Sequence, residues 1–179
     1  MTRTTAPRWI LFVGLAAAVV VLDQATKAIV AANLSPGQSV DVVGDLVRIV
    51  FGQNNGGLFG MFRGQAPVFA VVSLGVVVLI VVYEAHAGAS VAATVALGLL
   101  LGGALGNLVD RVRVGYVLDF VDAGIGNLRW YTFNVADAAI STSIVLLVAL
   151  AVLGEWDDRQ RRVRGSADGP LASRGEGPQ

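Results

Sequence analysis

Four apolar runs, each close to the length a helix needs to cross a bilayer, predict an all-α membrane protein with four transmembrane helices. Composition is the first support. The 179 residues are 55% hydrophobic and only 15% charged, with mean hydropathy +0.68, which is more apolar than a soluble domain of this size. Span length is the second: the runs cover about 9–32, 67–83, 91–109 and 135–153, and a crossing takes roughly 20 helical residues. The third is physical, because lipid offers no partner to an unpaired backbone amide and so favours helices. The formal net charge is zero, there is no cysteine, and His86 is the only histidine. Thiol chemistry, Cys-ligated metals and His-built metal sites are therefore excluded or poorly supported, and no nucleic-acid partner is indicated.

The first run follows Arg3 and Arg8 and contains Ala16-Ala17-Ala18, as a secretory signal would. Its apolar pattern continues past those alanines and further spans follow, so it is expected to be a retained helix. Arg3 and Arg8 before the first span, and Arg159, Arg161, Arg162 and Arg164 after the fourth, place both termini in the cytoplasm. Residues 1–154 are expected to form the membrane domain. Residues 155–179, charged and rich in Gly, are expected to form a disordered cytoplasmic tail. The loop at 83–90, with Glu84 and His86, falls on the cytoplasmic side, and the two longer loops fall outside. In the first of these, Val40-Asp41-Val42-Val43 and Leu46-Val47-Arg48-Ile49-Val50-Phe51 flank Gly44-Asp45, the pattern of a short hairpin. The second contains Gly124, Gly126 and the aromatic pair Trp130-Tyr131, residue types common at headgroup depth.

This topology gathers polar residues at one depth. Asp23 and Lys27 lie in the outer half of span one, Asn54 in the first outer loop, and Asn107, Asp110 and Arg111 at the outer end of span three. Asp119 follows shortly after, and Asn134 and Asp137 open span four. A carboxylate near the bilayer centre costs roughly 3 kcal/mol on insertion scales, so such a concentration calls for a reason. Several residues have structural explanations. Asp23 and Lys27, at i and i+4, can pair. Asp110 and Arg111 can neutralise each other. Gly98, Gly102 and Gly106 form a small-residue stripe for helix contact. Asn134 can cap span four with Asp137 in its first turn. None of these explains Asp119, which sits in the apolar run Val117-Leu118-Asp119-Phe120-Val121. Two carboxylates at one dry depth would share a proton and could activate water. A proton-coupled carrier is the main alternative, but the inner half of every span lacks acidic and basic side chains. A purely structural subunit would leave Asp119 and Asn54 unexplained. A serine peptidase using Ser141 or Ser143 would have His86 at the wrong face.

Four segments resemble the lipoprotein signal peptidase (signal peptidase II) family: Asp23-Gln24-Ala25-Thr26-Lys27, Asn54-Asn55-Gly56-Gly57-Leu58-Phe59, Gly102 through Phe120, and Phe133-Asn134-Val135-Ala136-Asp137. The resemblance covers most of the chain. It departs from the family pattern at Leu58, where a small residue is usual. It implies four transmembrane helices with a small extracytoplasmic β-cradle, in the bacterial inner membrane. The implied activity is an aspartic endopeptidase that removes the signal peptide from diacylglyceryl-modified prolipoproteins, cleaving before the lipidated cysteine. The family's catalytic aspartates fall on Asp119 and Asp137. Its substrate-binding or site-supporting residues fall on Asp23, Lys27, Asn54, Asn107, Asp110, Arg111 and Asn134, of which Asn54, Asn107 and Arg111 would position the substrate backbone. No metal or cofactor is implied. The partners expected are the prolipoprotein, membrane lipids and the inhibitor globomycin, with the chain acting as a monomer.

Overall fold

The structure, a computed structural model, describes residues 6–56, 66–86 and 90–167. Four helices, α1 (Ala6–Asn33), α2 (Ala66–His86), α3 (Val91–Arg113) and α4 (Val135–Ala167), are each long and apolar enough to cross a membrane. The central one is α3, which packs against the other three. Of its apolar window 56% is buried, against 22% for α1 and 11% each for α2 and α4. Its sequence explains the position. Association in lipid rests on close packing rather than on a hydrophobic drive, so the helix with the small-residue face becomes the hub. The glycine stripe indeed faces α1: a Cβ on Gly102 would lie 2.6 Å from the Val19 Cβ. Gly103, on the adjacent face, is tighter still, with a Cβ there falling 2.5 Å from the Ala136 carbonyl of α4.

Three helix ends differ from the sequence expectation. The helix α2 runs on to His86, so Glu84 is a helical residue and not a loop residue. It is fully buried, with Arg8 of α1 forming an ion pair with its carboxylate at 2.9 Å and the Thr94 hydroxyl of α3 donating to it at 3.1 Å. The span ends remote from Asp119 therefore carry charge, contrary to the expectation from the sequence that this half of every span lacks acidic and basic side chains. The pair survives there because each charge neutralises the other. Similarly, α3 continues to Arg113, which places Asp110 and Arg111 inside the helix. The segment expected as a tail from residue 155 begins as a continuation of α4 as far as Ala167. Residues 168–179 and Leu58 lie outside the described residues.

At the end opposite the Arg8–Glu84 pair stands an antiparallel four-stranded sheet in the order β1 (Ser39–Val43), β2 (Val47–Asn54), β3 (Val117–Ile125), β4 (Leu128–Arg129). The hairpin read around Gly44-Asp45 is present, with Gly44 at φ +48° in its turn, a conformation glycine adopts without penalty. The segment between α3 and α4 supplies β3, which pairs with β2 so that Gly52 faces Asp119 and Asn54 faces Val117. A Cβ on Gly52 would fall 2.8 Å from the Asp119 carbonyl, so glycine permits that close approach. The sheet seats on the end of α1 through Val30 and Leu34, which pack with Ile49, Phe51, Leu118 and Phe120. On its polar side Asp122 binds Arg48 at 3.2 Å and Arg129 at 3.0 Å, tying β2, β3 and β4 together.

Replacing Gly103 by Val is expected to lower stability by about 1–3 kcal/mol, because the added atoms meet α4 backbone. Gly14→Ala, where nothing lies within 4 Å, should be neutral or stabilising by up to about 1 kcal/mol. Thermal unfolding of both variants in one detergent checks the contrast.

Candidate active site

Lys27 organises the residues where α1, α3, α4 and β3 meet. It is 4% exposed and donates to Asp23 at 2.7 Å, to Asp110 at 2.8 Å and to the Asn107 side-chain oxygen at 3.3 Å. Each carboxylate then reaches a further element. Asp23 Oδ1 accepts the backbone N–H of Ala136 at 2.9 Å, satisfying an amide at the start of α4 that has no partner within its own helix. Asp110 Oδ2 accepts the N–H of Leu118 at 3.2 Å, fixing the entry of β3. Gln24 adds a cross-link, its amide donating to Asp110 at 2.9 Å and to Asp23 at 3.2 Å. Asp110 therefore pairs with Lys27, not with its sequence neighbour Arg111, because consecutive helical residues point to different sides.

Asp119 and Asp137 stand beside this network on the wall of one cavity of about 480 Å³. Asp119, on β3 and 3% exposed, accepts the side-chain amides of Asn54 at 3.1 Å and Asn134 at 2.7 Å. The oxygen of Asn54 takes the Gly56 N–H at 3.1 Å, which turns its NH₂ group toward Asp119. Asp137 accepts the Asn107 amide at 2.8 Å and the Asn134 backbone N–H at 3.2 Å. In return the Asn134 side-chain oxygen accepts the Asp137 N–H at 2.9 Å. This is a reciprocal cap on α4, as its sequence suggests, and it also orients the Asp137 carboxylate. Asn134 thus touches both carboxylates. Asn107 accepts from Lys27 and Asn134 through its side-chain oxygen and donates one of its two amide N–H groups to Asp137, so it orients that carboxylate.

The electrostatics separate the two sets of acids. Asp23 and Asp110 share an ammonium, whereas Asp119 and Asp137 receive only neutral donors. Burial pushes the Asp119 carboxyl up to about 7, and the Asp137 charge pushes the same way. The amides of Asn54 and Asn134 and the more distant Lys27 charge oppose that shift. Arg111 also faces the cavity, with its guanidinium bonded to the carbonyls of Asn107 at 3.1 Å and Gly56 at 3.3 Å. It lies 5.8 Å from the centre of the Phe69 ring on α2. Such an arrangement can hold a water between two acids with one proton available, beside a positive charge.

All nine polar residues singled out from the sequence meet in this region. Gln24 is the residue missed. Its signal was a polar amide between Asp23 and Lys27 in an apolar span, adjacent to two charges needing donors. Trp130 and Tyr131 line the cavity mouth together with Thr132.

The model of the family described as signal peptidase (SPase) II matches residues 15–153. A lipoprotein signal peptidase of Geobacillus kaustophilus is 41% identical over 134 residues, covering 74% of this chain and 87% of the relative. One from Halothermothrix orenii is 34% identical over 142 residues, covering 79% and 92%. A solved bacterial membrane enzyme, determined by the in meso method at 2.3 Å resolution, superimposes with a TM-score of 0.74 at 30% identity, over 82% of this chain and 90% of its own. With a family match across most of its length and a shared fold, this chain belongs to the signal peptidase II family.

Proposed function

We propose that the chain is an aspartic endopeptidase that removes the signal peptide from diacylglyceryl-modified prolipoproteins, cutting before the lipidated cysteine. The observation that carries the proposal is the pair Asp119 and Asp137 on one cavity wall, joined through Asn134. The relatives named above are lipoprotein signal peptidases, which supports the substrate class.

In the mechanism proposed, the ionised member of the pair takes a proton from a water lying between them, and the water oxygen attacks the scissile carbonyl. The protonated member donates to the developing oxyanion. Collapse of the tetrahedral intermediate breaks the C–N bond, and a proton passes to the leaving amine. The pair titrates as a unit, so the roles belong to the dyad. Asn54, Asn107 and Asn134 hold the carboxylates in place. Arg111 offers positive charge to the substrate backbone. The acyl chains lie along the apolar flanks of Val72, Val76 and Leu100. The site faces the extracytoplasmic side of the bacterial inner membrane, both termini are cytoplasmic, the enzyme acts as a monomer, and globomycin blocks it.

Asp119→Asn and Asp137→Asn are each expected to fold and to lose at least about a hundredfold in cleavage, read as signal peptide released from a diacylated prolipoprotein in detergent. Normal cleavage by either removes the dyad assignment. The pH dependence has a defined sign. With the Asp119 carboxyl at about 7, the singly protonated pair is lost as pH rises through that value, so kcat/KM should have its alkaline limb near pH 7. Asn54 lowers that value by bonding the charged form, so Asn54→Ala should move the limb to higher pH. A downward move would contradict the assignment. For orientation, Asp45 is exposed at the hairpin turn, and Asp45→Cys, in a chain with no other cysteine, should react with an impermeant maleimide added outside intact spheroplasts.

A further inference from the structure

The helical walls of the cavity carry two hydroxyls that the hydrolytic mechanism does not use, Ser73 on α2 and Ser141 on α4. Neither has a hydrogen-bond partner among the described residues. Other hydroxyls packed between the helices or folded back on their own turn are satisfied, and Thr142, the further unpartnered one among the described residues of α4, is not among the residues lining the cavity. Thr26 donates to the Leu22 carbonyl at 2.8 Å, Ser143 to the Ala96 carbonyl at 2.7 Å, and Thr94 to Glu84 at 3.1 Å. An unpartnered hydroxyl at membrane depth is unfavourable, and here two face the same space.

Their depth is defined by helix geometry. Ser141 follows Asp137 by one turn on the same face of α4, about 6 Å further into the membrane. Ser73 follows Phe69, the ring beneath Arg111, by one turn on α2. Both helices start at the sheet end and run away from it. The two hydroxyls therefore form a polar rung one turn below the reacting groups, in a wall otherwise made of Val72, Val76, Leu100 and Ile140.

We propose that Ser73 and Ser141 donate hydrogen bonds to the ester carbonyl oxygens of the substrate's diacylglyceryl group. This rests on the function proposed above and adds a specificity determinant to it. An ester carbonyl is an acceptor only, so it requires donors, and a serine hydroxyl supplies one. The diacylglyceryl group has two such carbonyls. They lie a few single bonds from the cysteine next to the scissile bond, between the polar glycerol and the apolar chains. The cavity shows the same succession, from carboxylates to hydroxyls to aliphatic wall.

The test compares a prolipoprotein carrying an ester-linked diacylglyceryl group with one carrying the ether-linked dialkylglyceryl analogue, which lacks both carbonyls. Wild-type protein is expected to favour the ester substrate by about tenfold in kcat/KM, the value of two modest hydrogen bonds. Ser73→Ala with Ser141→Ala should bring the ratio to within about twofold of one, each single variant should fall between, and the Thr variants, which keep the hydroxyl, should retain the preference. A ratio unchanged in the double variant, or no preference in the wild type, overturns the proposal. So does a dependence on ester against ether phospholipid in the surrounding nanodisc with no dependence on the substrate linkage, which would assign the hydroxyls to bulk lipid. Cleavage of the ester substrate by the wild type tests the underlying function separately, so failure of the rung leaves that result standing.

Discussion

The buried ammonium of Lys27 is the interaction on which the site depends. It lies between carboxylates from α1 and α3, and through those carboxylates it fixes the first turn of α4 and the first residues of β3. A charge that far from water is tolerated only with close partners, and removing one partner of such a group leaves an uncompensated charge that costs about 3–5 kcal/mol. The network is therefore close to all-or-none. Helices that could slide along a smooth apolar contact are held at one register by it. The glycine contacts set how closely α3 approaches its neighbours, and the Lys27 cluster sets where along their length they meet.

The same ammonium divides four aspartates into two kinds. Asp23 and Asp110 are compensated by a cation and are engaged on both oxygens. Asp119 and Asp137 are bonded by amides. An amide orients a carboxylate without supplying a full charge, so each of these acids remains sensitive to the charge of the other. For Asp119 burial and that repulsion together outweigh the amide bonds. The arrangement thus leaves a carboxyl near neutrality able to exchange a proton in a site whose geometry is otherwise fixed. Had Lys27 reached Asp119 directly, the charge would stabilise the ionised form and remove the acid from the pair.

What was legible in the sequence was local or compositional. The spans follow from hydropathy, the hairpin from β-branched runs about a Gly-Asp turn, the α1–α3 contact from glycines at a spacing of four, and the α4 cap from Asn134 and Asp137. The convergence of nine polar residues followed from topology alone. What was not legible depended on distant pairing or on direction. The strand β3 exists because β2 offers it a partner, with Gly52 giving Asp119 room to approach, and nothing local in Val117–Val121 sets that register. Asp110 and Arg111 are adjacent in the chain, but helix geometry turns them apart, toward Lys27 and the cavity respectively. Glu84 looked like a loop residue because its charge ended the apolar run, and only contact with Arg8 reveals why the helix can bury it.

Asp137 shows why a structural explanation of a residue need not compete with a chemical one. As a capping residue it is accounted for by helix physics: its carboxylate satisfies the Asn134 N–H, and the Asn134 side chain satisfies its own. That cap is also what a reactive carboxylate requires. It restricts the side chain to one orientation, so the proposed hydrolysis would need no further ordering of it. It links that orientation to Asn134, whose amide simultaneously holds Asp119. The distance between the two acids is thereby set by one asparagine and the start of one helix, which Asp23 braces through the Ala136 N–H. A site assembled from side chains on loops would need separate supports for each acid. Here the unpaired amides that every helix must satisfy at its start are satisfied by the site itself, and the geometry that stabilises α4 is the geometry that places the pair.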